Sequence, residues 1–128
     1  MSEPFIFIST HAVKAGKLEA IKAWNQDFME FLAANEPRLI AANTYSNESQ
    51  TEMSVVLVLP DAAAMDEHLQ VSHEKIGAGL ELAPTVSIQA YGTPGPVLQQ
   101  VLRHNVEIGV QVSVKPQAVG GLSQLVAR

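Results

Sequence analysis

The residues here best suited to chemistry near neutral pH are histidines, because an unperturbed imidazole titrates in that range. His68 and His73 fall in one stretch, Asp61-Ala62-Ala63-Ala64-Met65-Asp66-Glu67-His68-Leu69-Gln70-Val71-Ser72-His73. His68 reads either as a general base or as a helix histidine that only makes a hydrogen bond. His73 lies where the helix face turns inward. It reads as a packing or capping histidine near a helix end, where a cationic imidazole is favoured, with contact to a ligand as the alternative. The two are five residues apart, more than a quarter turn out of phase, so they do not form an i,i+4 metal pair and no metal site is expected. Trp24, the sole tryptophan, is a core residue or a pocket wall whose indole N–H needs a partner. Asn25 and Tyr45 are polar candidates for orienting a ligand, and Met65 and Leu69 would supply an apolar wall beside His68. His11 faces either a pocket or solvent.

Other chemistries are excluded by what is missing from the sequence. With no cysteine there are no disulfides, thiolate zinc sites or cysteine nucleophiles. Gly77-Ala78-Gly79 lacks the Lys, Ser or Thr of a phosphate cradle, so no nucleotide is expected. No Ser-His-Asp or paired-carboxylate spacing is legible. The net charge is −5 and no two of the eight basic residues are adjacent, which argues against nucleic acid. The N-terminus shows no basic and apolar leader, and the longest apolar run, Val55 to Pro60, is too short to span a bilayer. The expectation is a cytoplasmic protein without membrane contact.

These side chains must be positioned by a small number of elements. The chain has 128 residues, 47% hydrophobic and 16% charged, which suits one domain with a substantial core. Phe5-Ile6-Phe7-Ile8 predicts a strand from Pro4 to about His11. Leu18, Ile21, Trp24, Phe28 and Leu32 recur at helical spacing, and Asn35-Glu36-Pro37 stops that helix. Strands are predicted over Leu39–Ser46, Met53–Leu59 and Thr85–Tyr91. Between the last two, Asp61 caps a helix with Ala62, Met65, Leu69 and Ile76 on its inner face, ended by Gly77-Ala78-Gly79.

The order βαββαβ predicts an α+β, ferredoxin-like fold over residues 4–92, with strands one and three central and strands two and four at the edges. Phe5–Ile8 and Val55–Leu59 are apolar on both faces, yet two helices cover only one side of a four-stranded sheet. The uncovered face predicts a homodimer, unless the C-terminal segment folds over it. That segment, residues 93–128, predicts a short helix with Val97, Leu98, Val101 and Leu102 on one face. A fifth strand is predicted over the alternating run from Val106 to Val114, stopped by Pro116. Beyond it a loosely held tail offers Leu122, Leu125 and Val126 to a neighbour.

Thr10-His11-Ala12-Val13-Lys14-Ala15-Gly16-Lys17-Leu18-Glu19, Glu36-Pro37 and the run His68-Leu69-Gln70-Val71-Ser72-His73 together resemble the antibiotic-biosynthesis-monooxygenase superfamily of dimeric α/β-barrel proteins. The resemblance covers about residues 4–92. It implies a pocket between sheet and helices in each subunit, and an activity such as cofactor-free oxidation of a small phenolic or quinol compound by molecular oxygen. Some members degrade haem, but the imidazole ligand those need falls at Ala78, so no haem or other cofactor is expected. His68 stands where the better-understood oxygenases carry a tryptophan. A non-catalytic protein that binds a small molecule in the same pocket, and a structural dimer whose C-terminal strand docks on a partner, are the alternatives.

Overall fold

In the computed structural model, which describes residues 3–122, the chain runs β1 (Phe5–Ala12), α1 (Leu18–Asn35), β2 (Ala41–Ser46), β3 (Glu52–Leu59), α2 (Ala62–Val71), α3 (His73–Leu82), β4 (Thr85–Tyr91), α4 (Pro96–Glu107) and β5 (Gln111–Lys115). The five strands form one sheet in the order β2-β3-β1-β4-β5. The first four pair antiparallel and β5 joins β4 in parallel. This is the ferredoxin-like α+β topology with an added C-terminal helix and strand.

The strand pleat divides the sheet into two unlike surfaces. Phe5, Phe7, Leu57, Leu59, Ile88 and Ala90 point to the helix side and are buried with Met65, Leu98 and Leu102. On the other side Ile6 pairs with Val58 and Ile8 with Val56. All four are only half-buried in the single chain. Among the described residues the C-terminal segment leaves that surface open: α4 packs into the core through Leu98 and Leu102, and β5 adds a strand to the sheet edge.

Three sequence expectations are corrected. The helix after Asp61 is not continuous to Ile76: the backbone bends at Ser72 (φ −98°, ψ 8°), which turns a fully buried hydroxyl inward. Its second half then continues through Gly77-Ala78-Gly79 to Leu82. Gly79 is a packing glycine, since a Cβ there would lie 2.6 Å from the Trp24 ring. The fifth strand begins at Gln111, because helical spacing carries α4 through Asn105 to Glu107 and leaves Val106 and Ile108 exposed. The sheet edge is therefore β5, and β4 lies inside. Leu122 is exposed, while Leu125 and Val126 lie outside the described residues.

α4 starts without a capping side chain of its own, since its N-cap is Gly95. Asp66 of α2 takes that role from across the interface, accepting from Leu98 N (3.0 Å) and Val97 N (3.4 Å). Glycine at 95 leaves room for this cap, because a Cβ would sit 2.3 Å from the Asp66 carboxylate and push it aside.

Candidate active site

A cavity of about 130 Å³ lies between the sheet and α1, α2 and α3, and α4 closes part of its wall through Val101 and Asn105. Phe7, Phe28, Trp24, Leu57 and Met65 give it a mainly apolar lining, and no Lys, Arg, Asp or Glu lines it. Leu80 lines it while remaining exposed, which puts the mouth on the α3 side.

α1 supplies one wall because Ile21, Trp24/Asn25 and Phe28 recur at helical spacing toward the sheet. Trp24 stacks on Phe28 at 4.7 Å, and its Nε1 donates to the carbonyl of Lys75 at 2.9 Å. The indole N–H is thereby satisfied and the ring is fixed as wall. Asn25 also faces the cavity, its Oδ1 accepting from Thr44 Oγ1 at 2.8 Å.

His68 is brought to the cavity by α2, which the Asp61 cap starts: Asp61 Oδ1 accepts from Ala64 N at 2.8 Å. The imidazole is only 3% exposed and tilts against Phe28 at 6.2 Å. Its Nδ1 lies 2.8 Å from Glu36 Oε1, whose side chain is 8% exposed. An ionised carboxylate only accepts, so the Nδ1–H points at Glu36 and Nε2 is the ring nitrogen left for a ligand. Nε2 makes no hydrogen bond among the described residues, and the ring borders the cavity. The second Glu36 oxygen accepts from Ser72 Oγ, so the bend after α2 helps to hold the carboxylate. Glu36 itself closes α1, its N–H donating to Leu32 O.

A second polar cluster sits on the cavity floor. His11 Nε2 is 2.9 Å from Ser9 Oγ, its Nδ1 is 3.3 Å from Thr85 Oγ1, and all three residues line the cavity. Burial pushes the His11 pKa below the ordinary imidazole value, while a backbone hydrogen bond at Ala83 acts in the opposite direction.

Among the residues singled out from sequence, His68, Trp24, Asn25 and Met65 come together at this cavity. Tyr45 does not, because it lies on the open side of edge strand β2 and is 63% exposed. His73 does not either, since the bend at Ser72 leaves it exposed at the start of α3. Ala78 is also exposed and away from the cavity. Sequence reasoning missed Glu36, Ser72, Ser9, Thr85 and Asn105. Glu36 was visible only as part of a Glu-Pro helix stop, with nothing to pair it to a histidine 32 positions away.

No protein-family model matches the chain and no curated protein matches it, but solved structures do. MupZ from Pseudomonas fluorescens superposes with a TM-score of 0.74 at 21% identity, covering 99% of this chain and 95% of its own. SnoaB from Streptomyces nogalater, a cofactor-independent oxygenase in its N63A form, gives 0.62 at 12% identity, covering 75% of this chain and 98% of its own. An antibiotic biosynthesis monooxygenase gives 0.55 at 15%, covering 62% and 85%. At these identities the likeness is one of fold, which the chain shares with all three. Among the described residues no group of three His, Cys, Asp or Glu could hold a metal, and no helix is long and apolar enough to cross a membrane.

Proposed function

We propose that this protein is a cofactor-independent enzyme that moves a proton on a small, neutral, largely apolar aromatic compound, with His68 as the general base. The carrying observation is the buried Glu36–His68 pair, which fixes the imidazole with Nδ1 toward the carboxylate and leaves Nε2 free beside an apolar cavity. A carboxylate behind the ring favours the imidazolium that forms as the proton is taken. Trp24 and Phe28 offer flat apolar surface to an aromatic ring, and Asn25 and Met65 complete the surround.

The reaction class favoured by the fold is oxygenation of a phenol or quinol. Proton loss to His68 leaves a phenolate electron-rich enough to react with dioxygen. One oxygen atom then enters the ring carbon and the other leaves as water, so phenol and O₂ give quinone and water without an external reductant. Loss of a general base costs about 10²–10⁴-fold in rate. His68→Ala should therefore lose oxygen uptake with a responsive phenol or quinol by that factor while its thermal melt shows a folded protein. Near-wild-type turnover in His68→Ala would remove the assignment. Binding without turnover across a phenol and quinol panel would favour the small-molecule-binding reading instead.

The active unit is proposed to be a homodimer joined through the open sheet face. Ile6, Ile8, Val56 and Val58 form a cross-strand apolar patch there, bounded by the Thr10–Ser54 hydroxyl pair at 2.7 Å. A patch of this kind is self-complementary about a two-fold axis.

A further inference from the structure

We propose that Ser9, His11 and Thr85 form a second binding subsite in the same cavity, one that accepts a neutral oxygen function, hydroxyl or carbonyl, at the end of the ligand remote from His68. The inference rests on the cavity being the ligand site, as argued above, but not on His68 being catalytic.

The cavity lining is mainly apolar, and the two histidines in it lie apart. His68 tilts against Phe28 and has Met65 beside it on α2. His11 is next to Ala83, which clusters with Ile21 and Met53. Ile21 and Phe28 are seven residues apart on α1, about 10 Å at 1.5 Å per residue. The two histidines therefore mark opposite ends of an elongated space, with Trp24 and Phe28 along its side.

At the His11 end the hydrogen-bonding capacity exceeds what the protein uses. A neutral imidazole has one donor and one acceptor nitrogen; here each lies within reach of a hydroxyl, and a backbone hydrogen bond at Ala83 also holds the ring. Each hydroxyl can make up to three hydrogen bonds, yet Ser9 Oγ and Thr85 Oγ1 each have one side-chain partner, His11. Because a hydroxyl can rotate, the pair can donate to a carbonyl or accept from a hydroxyl. With no charged Lys, Arg, Asp or Glu in the lining, the subsite has no counter-ion for a carboxylate or an amine. The ligand class that fits is a rigid or extended apolar body carrying an uncharged oxygen at each end.

The test compares two probes, 4,4′-dihydroxybiphenyl and 4-hydroxybiphenyl, by isothermal titration calorimetry on the full chain. One added neutral hydrogen bond to a protein group strengthens binding by about three- to tenfold. Wild type should therefore prefer the diol by that factor. His11→Leu should bring the ratio close to one, and the Ser9→Ala/Thr85→Val double variant, which keeps the imidazole and the side-chain shape, should do the same should His11→Leu fail to fold. Both variants leave His68 in place and the readout is binding rather than turnover, which separates this inference from the catalytic one. Equal affinities in wild type, no binding of the diol, or an unchanged preference in the double variant would each overturn it.

Discussion

Val56 and Leu57 are adjacent on β3 and live in different environments. Leu57 points into the helix-covered layer and is 2% exposed, while Val56 lies half-buried on the open face opposite Ile8. One step along a strand reverses the side of the sheet, so a nearly uniform apolar run encodes two surfaces with different purposes. The covered surface is interrupted by polar groups at chosen points, Ser9, His11 and Thr44 from the strands with His68 from above, and encloses a cavity. The open surface carries the aliphatics Ile6, Ile8, Val56 and Val58 in cross-strand pairs. This contrast is the ground for the proposal that ligand chemistry belongs to one side and self-association to the other.

The strongest way to break this division is Val56→Lys. On a face that stays in water the change would shift stability by no more than about 0.5 kcal/mol. On a dimer interface it leaves a buried unpaired charge costing about 3–5 kcal/mol. The expected outcome is a folded monomer in sedimentation at micromolar concentration, where wild type sediments as a dimer. An unchanged sedimentation coefficient would remove the interface from this face.

A smaller effect is expected on the covered side from Asp66→Ala. It deprives the N-terminus of α4 of both backbone N–H partners and should cost about 1–2 kcal/mol. Denaturant unfolding would measure the loss. Because α4 contributes Val101 and Asn105 to the cavity wall, ligand affinity should fall with it.

The smallest expected effect is a pH dependence set by His11. Its pKa is lowered in the folded protein chiefly by burial, so below the unfolded value of 6.5 the unfolded chain binds the proton first. The associated stability is intact above 6.5 and is lost as pH falls from there toward the lowered folded value. Thermal melts between pH 7.5 and 5.5 should decline less steeply in His11→Gln than in wild type, and parallel declines would contradict the burial of a neutral imidazole.

Much of this architecture was legible in the sequence because its determinants are local. The α1 stripe from Leu18 to Leu32 and its Glu36-Pro37 stop, the Asp61 cap and the doubly apolar β1 and β3 each depend on neighbours within a turn or a pleat. The errors arose where two local signals competed. Alternating valines after Val106 read as a strand, but Leu98, Val101, Leu102 and Asn105 already committed that stretch to a helix. The site was only half legible for a different reason. His68, Trp24, Asn25 and Met65 stood out by type and phase, whereas Glu36 and the Ser9–His11–Thr85 cluster depend on contacts between distant parts of the chain. Tyr45 was a plausible ligand contact by chemistry alone, and the pleat of an edge strand turned it outward.

The central claim, that the imidazole of His68 acts as a base at this cavity, is tested most directly by chemical rescue. His68→Ala leaves space beside the Glu36 carboxylate, and imidazole added to the assay can occupy it. With a phenol or quinol that wild type turns over, the account predicts a rate reduced about 10²–10⁴-fold in the variant. That rate should rise with imidazole concentration until it saturates, while wild type is unaffected. A variant that keeps its activity, or a folded but inactive variant whose rate stays flat at every imidazole concentration, would contradict it.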